Sequence, residues 1–104
     1  MVFIETPIFT RQVAEALTDD QYAALQSELT ARPNAGDLIK GGRGIRKVRW
    51  AMQGRGKSGG ARVIYFWRVT ESQILLLTIY AKGEKTDLTA AQVQQLAKYV
   101  EALE

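Results

Sequence analysis

The basic residues in the middle of the chain are the side chains whose types and spacing suggest chemistry. Residues 38–70 contain nine Lys and Arg residues and no Asp or Glu. Because ordinary soluble domains carry surface charges of mixed sign, a segment without counter-charges indicates an anion-binding face, and phosphates are the most general anions for it. A basic hairpin that only maintains solubility is the alternative.

The glycine-rich segment GRGKSGG, residues 54–60, lies inside this basic region. Its glycines allow the backbone to approach a ligand closely, and Arg55 and Lys57 add positive charge. It is not a P-loop, because the spacing GxxxxGK[ST] is not met. A flexible hairpin loop is equally compatible with this composition.

Further cations are expected to converge with this loop at one end or face of a sheet. Lys47 and Arg49 share one face of a predicted strand, and Arg62 begins the next strand. Lys82 and Lys85 follow a third strand. Two cations on one face of a strand do not belong in a core, so we expect that face to be open to solvent or to a ligand.

Two tyrosines accompany the cations on the neighbouring strands. Tyr65 and Tyr80 could stack on a base or donate a hydroxyl, and core packing is the alternative, which we favour for Tyr65 and not for Tyr80. No predicted helix has the basic face that reads a DNA major groove. The combination therefore favours RNA as the nucleic acid.

RNA cleavage at such a site would proceed without histidine, which the sequence lacks. Attack of a ribose 2′-OH on its own phosphate requires alignment, stabilisation of added negative charge and proton transfer. Arginines can stabilise the added negative charge, and a lysine whose pKa is lowered by neighbouring cations could transfer the proton. The chain also has no cysteine, and we expect no metal and no cofactor.

The remaining pattern predicts the elements that position these residues. Apolar periodicity, capping boxes and glycine-rich turns predict, in order, a strand at 2–5, two helices ending at Pro33, a short extended piece at 38–39, strands at 45–52, 62–69 and 73–81, and a C-terminal helix from Thr89. This order indicates one α+β domain over residues 1–104. We expect a twisted antiparallel sheet with two N-terminal helices and a C-terminal helix on one side. No stretch predicts a membrane span or a signal peptide.

Three motifs carry a resemblance to a known family. They are GIRKVR at 44–49, GRGKSGGARVIY at 54–65 and LTIYAKGEKTDL at 77–88. With the order of elements they make nearly the whole chain resemble the RelE/HigB group of bacterial type II toxins, within the RelE/ParE superfamily, and its HigB-like members in particular. The resemblance implies a microbial-ribonuclease-like sheet and a cytoplasmic toxin that enters the ribosomal A site and cleaves translated mRNA.

The resemblance also implies partners and residue roles. A helix-turn-helix antitoxin, HigA-like, would neutralise the toxin, and the toxin would reach operator DNA only through it. Arg62 resembles the transition-state arginine. Some RelE members have an arginine directly after the basic residue at position 82 and a catalytic tyrosine further on, but here Gly83 and Thr89 stand at those places, so the tyrosine role is either vacant or filled by Tyr80. The implied catalytic residues are Arg62, Lys57, Arg49, Lys47, Tyr80 and Lys82, and the implied RNA or ribosome contacts are Arg43, Arg46, Arg55, Lys85 and Arg68.

Two rival functions remain open at this point. ParE toxins share the fold but poison DNA gyrase and lack a ribonuclease site, and the cations at 47, 49, 57 and 62 argue against that reading. The other rival is a non-toxic nucleic-acid-binding module on the same scaffold.

Overall fold

The computed structural model of the protein describes residues 1–51, 60–83 and 88–103. Its elements, in chain order, are β1 (Val2–Glu5), α1 (Pro7–Ala16), α2 (Asp19–Ala31), β2 (Asp37–Leu38), β3 (Ile45–Trp50), β4 (Ala61–Arg68), β5 (Gln73–Ala81) and α3 (Ala90–Leu103). The predicted elements are all present, and their bounds agree with the predicted ones to within two residues at the ends that the structure describes. The α+β class is confirmed.

The five strands form one sheet in the order β1-β5-β4-β3-β2. Neighbouring strands are antiparallel except for β1, which pairs in parallel with β5. The sheet is therefore mixed rather than wholly antiparallel. The parallel pair is possible because a long connection, which includes α1, α2 and the three following strands, separates β1 from β5.

Helices cover both faces of the sheet, so the expectation that they share one side was wrong. On one face, Val63 and Leu76 pack with residues of α1 and α2. On the other face, Ile64 and Leu75 pack with Ala97 and other residues of α3. The physical reason is that β4 and β5 are apolar on both faces, as in strands that are buried on both sides.

The first two helices begin at threonine caps, and α1 is hydrogen-bonded to the edge of β5. The Thr6 hydroxyl accepts a hydrogen bond from the Phe9 backbone N–H (3.0 Å) and donates one to the Leu77 carbonyl (2.8 Å). Beyond the end of β1, the Gln12 Oε1 atom accepts from the Ile79 backbone N–H at 3.0 Å. A side chain of α1 thus accepts the hydrogen bond of a backbone N–H on the edge of β5, beyond the end of β1.

A β-bulge interrupts the pairing of β4 with β5. Tyr65 lies opposite Leu76, but Ile64 lies opposite Thr78, so that Leu77 has no partner across the ladder. One extra residue in a strand changes which face the following residues occupy. Beyond the bulge, Arg62 consequently lies opposite Tyr80.

Tyr65 is fully buried and fixes the connection between α2 and β2. Its hydroxyl accepts from the Gly36 backbone N–H and donates to the Pro33 carbonyl, both at 2.8 Å. Burial raises the pKa of Tyr65, so the hydroxyl keeps the proton that it donates. A Cβ atom at Gly36 would lie 2.9 Å from the Lys47 carbonyl oxygen and 2.9 Å from the Tyr65 ring, so only glycine fits this approach. The expected core role of Tyr65 is confirmed.

Among the described residues, no helix combines the length and the apolar composition that crossing a membrane requires.

We predict that Tyr65→Phe lowers the free energy of unfolding by about 1–3 kcal/mol, because two buried backbone groups lose their hydrogen-bond partner. Urea denaturation would measure the change. The matched control is Tyr99→Phe, since Tyr99 lies exposed on α3 and should change stability by less than about 0.5 kcal/mol. Equal stability of Tyr65→Phe and wild type would contradict this account of the loop.

Candidate active site

Arg49, Arg62 and Tyr80 form one row across three neighbouring strands. Arg49 of β3 is the register partner of Arg62 of β4, and Arg62 is the register partner of Tyr80 of β5. Side chains of residues that are directly opposite in an antiparallel pair lie on the same face, with Cβ atoms about 4.5–5.5 Å apart. The sequence-predicted residues of three separate strands are therefore brought together.

This row lies on the face of the sheet that carries α3. The neighbours of Arg62 along β4, Ala61 and Val63, pack toward α1 and α2, and Tyr80 belongs to the cluster of α3. Arg49 is exposed and Arg62 is half-buried. The row is thus at the border of the area that α3 covers, where two guanidinium groups remain within reach of a ligand.

Lys47 and Lys82 extend the cationic surface on either side of this row. Lys47 precedes Arg49 by two residues, on the same face of β3 and about 7 Å away. Lys82 follows Tyr80 by two residues, and its backbone N–H donates to the Gly60 carbonyl at 3.0 Å. We call Lys47, Arg49, Arg62 and Lys82, with Tyr80, the cationic row.

Positive charge is concentrated in the cationic row. Like charges directly opposite each other in a sheet repel, and β3, β4 and β5 contain no Asp or Glu. Phosphate oxygens match the planar donors of arginine especially well. The row therefore has the chemistry of an anion site.

The burial of Tyr80 differs from the sequence-based expectation. Only 6% of its surface is exposed, and it packs in the same cluster as Ile64, Leu77 and Val100. Expecting Tyr80 outside the core was therefore wrong. The β-bulge and α3 together account for the burial, since the bulge turns Tyr80 to the face that α3 covers. Its ring is not available for stacking on a base in this conformation.

The other predicted RNA contacts are dispersed or have structural partners. The Arg46 guanidinium donates to the Gly36 carbonyl at 2.8 Å, and that of Arg68 donates to Gln73 Oε1 at 2.8 Å. Arg43 forms an ion pair with Glu101 of α3. None of these three is a register neighbour of the cationic row, and Arg68 is six residues, about 20 Å, from Arg62 along β4. Arg55, Lys57 and Lys85 lie outside the described residues.

One charged neighbour of the cationic row was not anticipated. Asp37 of β2 is the register partner of Lys47, so it lies beside the row on the same face. The sequence predicted a short extended piece at 38–39, but so short a strand gives no alternation from which a register is readable. Asp37 and Lys47 both line a groove between β2 and the beginning of α3.

Among the residues that the structure describes, no group of three or more acidic side chains is arranged to hold a metal ion.

The comparison with known families agrees with the fold. Residues 2–104 match the model of the RelE toxin of the RelE/RelB toxin-antitoxin system. The chain therefore belongs to the RelE toxin family. It is a toxin of a toxin-antitoxin system, and a cognate antitoxin is its partner.

A double-mutant cycle would test the opposed arginines. We predict that Arg49→Gln and Arg62→Gln show a repulsive coupling of about 0.2–1 kcal/mol in the free energy of unfolding at low salt. The coupling should shrink in 1 M salt, where the Debye length is about 3 Å. Urea denaturation of the four proteins measures it. Additive effects at low salt would show that the two guanidinium groups do not face each other.

Proposed function

We propose that this protein is a ribosome-dependent endoribonuclease that cleaves translated mRNA in the ribosomal A site and so inhibits translation. The proposal is supported by the direct opposition of Arg49 and Arg62 on the α3 face, with Lys47 two residues away. Membership of the RelE family and the resemblance to its HigB-like members support the same function. The alternative, a gyrase poison of the ParE type that lacks a ribonuclease site, leaves this cationic row without an explanation.

The proposed reaction begins with attack of a ribose 2′ oxygen on the adjacent phosphorus. A bond forms between the 2′ oxygen and phosphorus, and the bond from phosphorus to the 5′ oxygen of the next nucleotide breaks. Arg62 and Arg49 bind the non-bridging oxygens and stabilise the charge that builds up on them. Lys47, next to Arg49, helps to hold the strand in line.

The proton leaves the 2′-OH for a base, and the departing 5′ oxygen receives a proton from an acid. Arginine stays protonated, so within the described cationic row these roles belong to Lys47, Lys82 or Tyr80. Lys57 is a further candidate outside the described residues. In this scheme no step requires a metal ion.

We predict that Arg62→Ala lowers the rate of ribosome-dependent mRNA cleavage by about 100- to 1000-fold, the usual effect of losing a donor that stabilises transition-state charge. Purified protein is added to ribosomes programmed with a defined mRNA and an empty A site, and primer extension maps the new 5′ ends. The matched control is Arg11→Ala, which removes an exposed arginine of α1 and should leave cleavage unchanged.

Two outcomes contradict the proposal. Intact mRNA in the presence of wild-type protein would exclude the ribonuclease, and supercoiling by DNA gyrase would then be assayed. Equal cleavage by wild type and Arg62→Ala would leave a ribonuclease whose site is elsewhere.

For the antitoxin, we propose a helix-turn-helix protein of the HigA type that carries the complex to its operator. This is supported by the helices: α1 and α3 each contain one basic residue and α2 contains none, so they offer no basic face for a DNA groove. In a gel-shift assay at physiological salt, the complex should retard the DNA upstream of its operon and the toxin alone should not. Specific retardation by the toxin alone would contradict the proposal.

A further inference from the structure

A groove runs beside the cationic row, between β2 and the first turns of α3. Its polar lining comes from Asp37, Lys40 and Lys47, and its apolar lining includes Ile39, Leu88 and Val93. Ile39 and Leu88 are partly buried against the cluster of α3, so the apolar side of the groove is backed by the core. Lys47 belongs both to the groove and to the cationic row.

The Asp37 carboxylate indicates which part of a nucleotide the groove would bind. Asp37 is exposed, and among the described residues that line the groove it is the only acidic one. A carboxylate repels a phosphate, whereas it accepts hydrogen bonds from the N–H groups on the edge of a base. Apolar side chains beside it suit the flat faces of a base. The groove therefore has the chemistry of a base site rather than of a second phosphate site.

The position of the groove relates it to the proposed cleavage point. Asp37 is opposite Lys47, and Lys47 is one step of about 7 Å along β3 from Arg49. This distance is comparable to the length of one nucleotide. A strand whose phosphate is held by Arg49 and Arg62 would place a neighbouring base over Lys47 and Asp37.

From this geometry we infer that the groove is a base-binding subsite that prefers guanine next to the cleaved phosphate, with Asp37 as its specificity-determining residue. The inference rests on the proposed function, since it assumes an RNA substrate. Guanine presents two adjacent donors, N1–H and N2–H, to one carboxylate, and its O6 atom accepts from a lysine of the groove. Uracil presents one N–H between two carbonyl oxygens, which a carboxylate repels.

The test measures the affinity of the protein for short RNAs without ribosomes. Four pentanucleotides UUNUU, with N as G, A, C or U and 2′-O-methyl groups that block cleavage, are titrated in a fluorescence anisotropy assay. Wild type should bind the G oligonucleotide about tenfold more tightly than the U oligonucleotide. Asp37→Asn should reduce this ratio to less than about twofold, because one acceptor becomes a donor.

Two comparison variants separate base reading from general effects. Glu15→Gln removes an exposed acidic residue of α1 and should keep the wild-type ratio. Arg62→Ala should weaken binding of all four oligonucleotides by a similar factor, as expected for a phosphate contact. Circular dichroism and thermal melting verify that each variant is folded.

Each outcome decides the inference separately from the proposed function. Equal affinity of wild type for the four oligonucleotides, or an unchanged ratio in Asp37→Asn, would overturn the base site even if the ribosomal assay shows cleavage. A preference for G that depends on Asp37 would support it even if programmed mRNA stays intact, and the ribonuclease proposal alone would then fail.

Discussion

The hydrogen bonding of β4 along both of its edges is the constraint on which the site depends. Because β4 pairs with β3 on one side and β5 on the other, Arg62 has fixed neighbours in both directions. The β-bulge at Leu77 adds the second condition. With a continuous ladder, Arg62 would lie opposite Ile79, and Tyr80 would turn toward α1 and α2. One unpaired residue in β5 thus determines that a tyrosine, and not an isoleucine, accompanies the arginines.

The structure separates the parts of the sheet that provide stability from the part that holds the charges. Around Tyr65, apolar side chains cover both faces, and buried polar groups have hydrogen-bond partners. At the other end of β4, the arginines face each other across the ladder. The helices on both faces fix the strands, so the fold sets the backbone positions of these cations. Such preorganisation lowers the reorganisation that a reaction would otherwise require.

Local patterns in the sequence predicted much of this arrangement, but they did not predict the features that depend on contacts between distant segments. Capping boxes at Thr18 and Thr89 predicted where two of the helices begin. The alternation of Val48 and Trp50 with Lys47 and Arg49 predicted the face of β3 that carries the cations. The parallel pairing of β1 and the coverage of the second face by α3 depend on contacts between distant segments. No glycine or proline marks the bulge at Leu77 in the sequence, so the burial of Tyr80 could not be predicted. Asp37 was missed because a two-residue strand has no readable register.

The parallel strand β1 has a consequence for the synthesis of the protein. β1 is made before β5, its partner strand in the described sheet, in which Val2 lies opposite Gln73. The hydroxyl of Thr6 likewise bonds to the Leu77 carbonyl, 71 residues further along the chain. Contacts of such sequence separation form late, because most of the chain must emerge before they exist. A growing chain that ends before β5 therefore lacks the strand that joins β1 to β4, and Arg62 has no neighbour on that side until Tyr80 has been made.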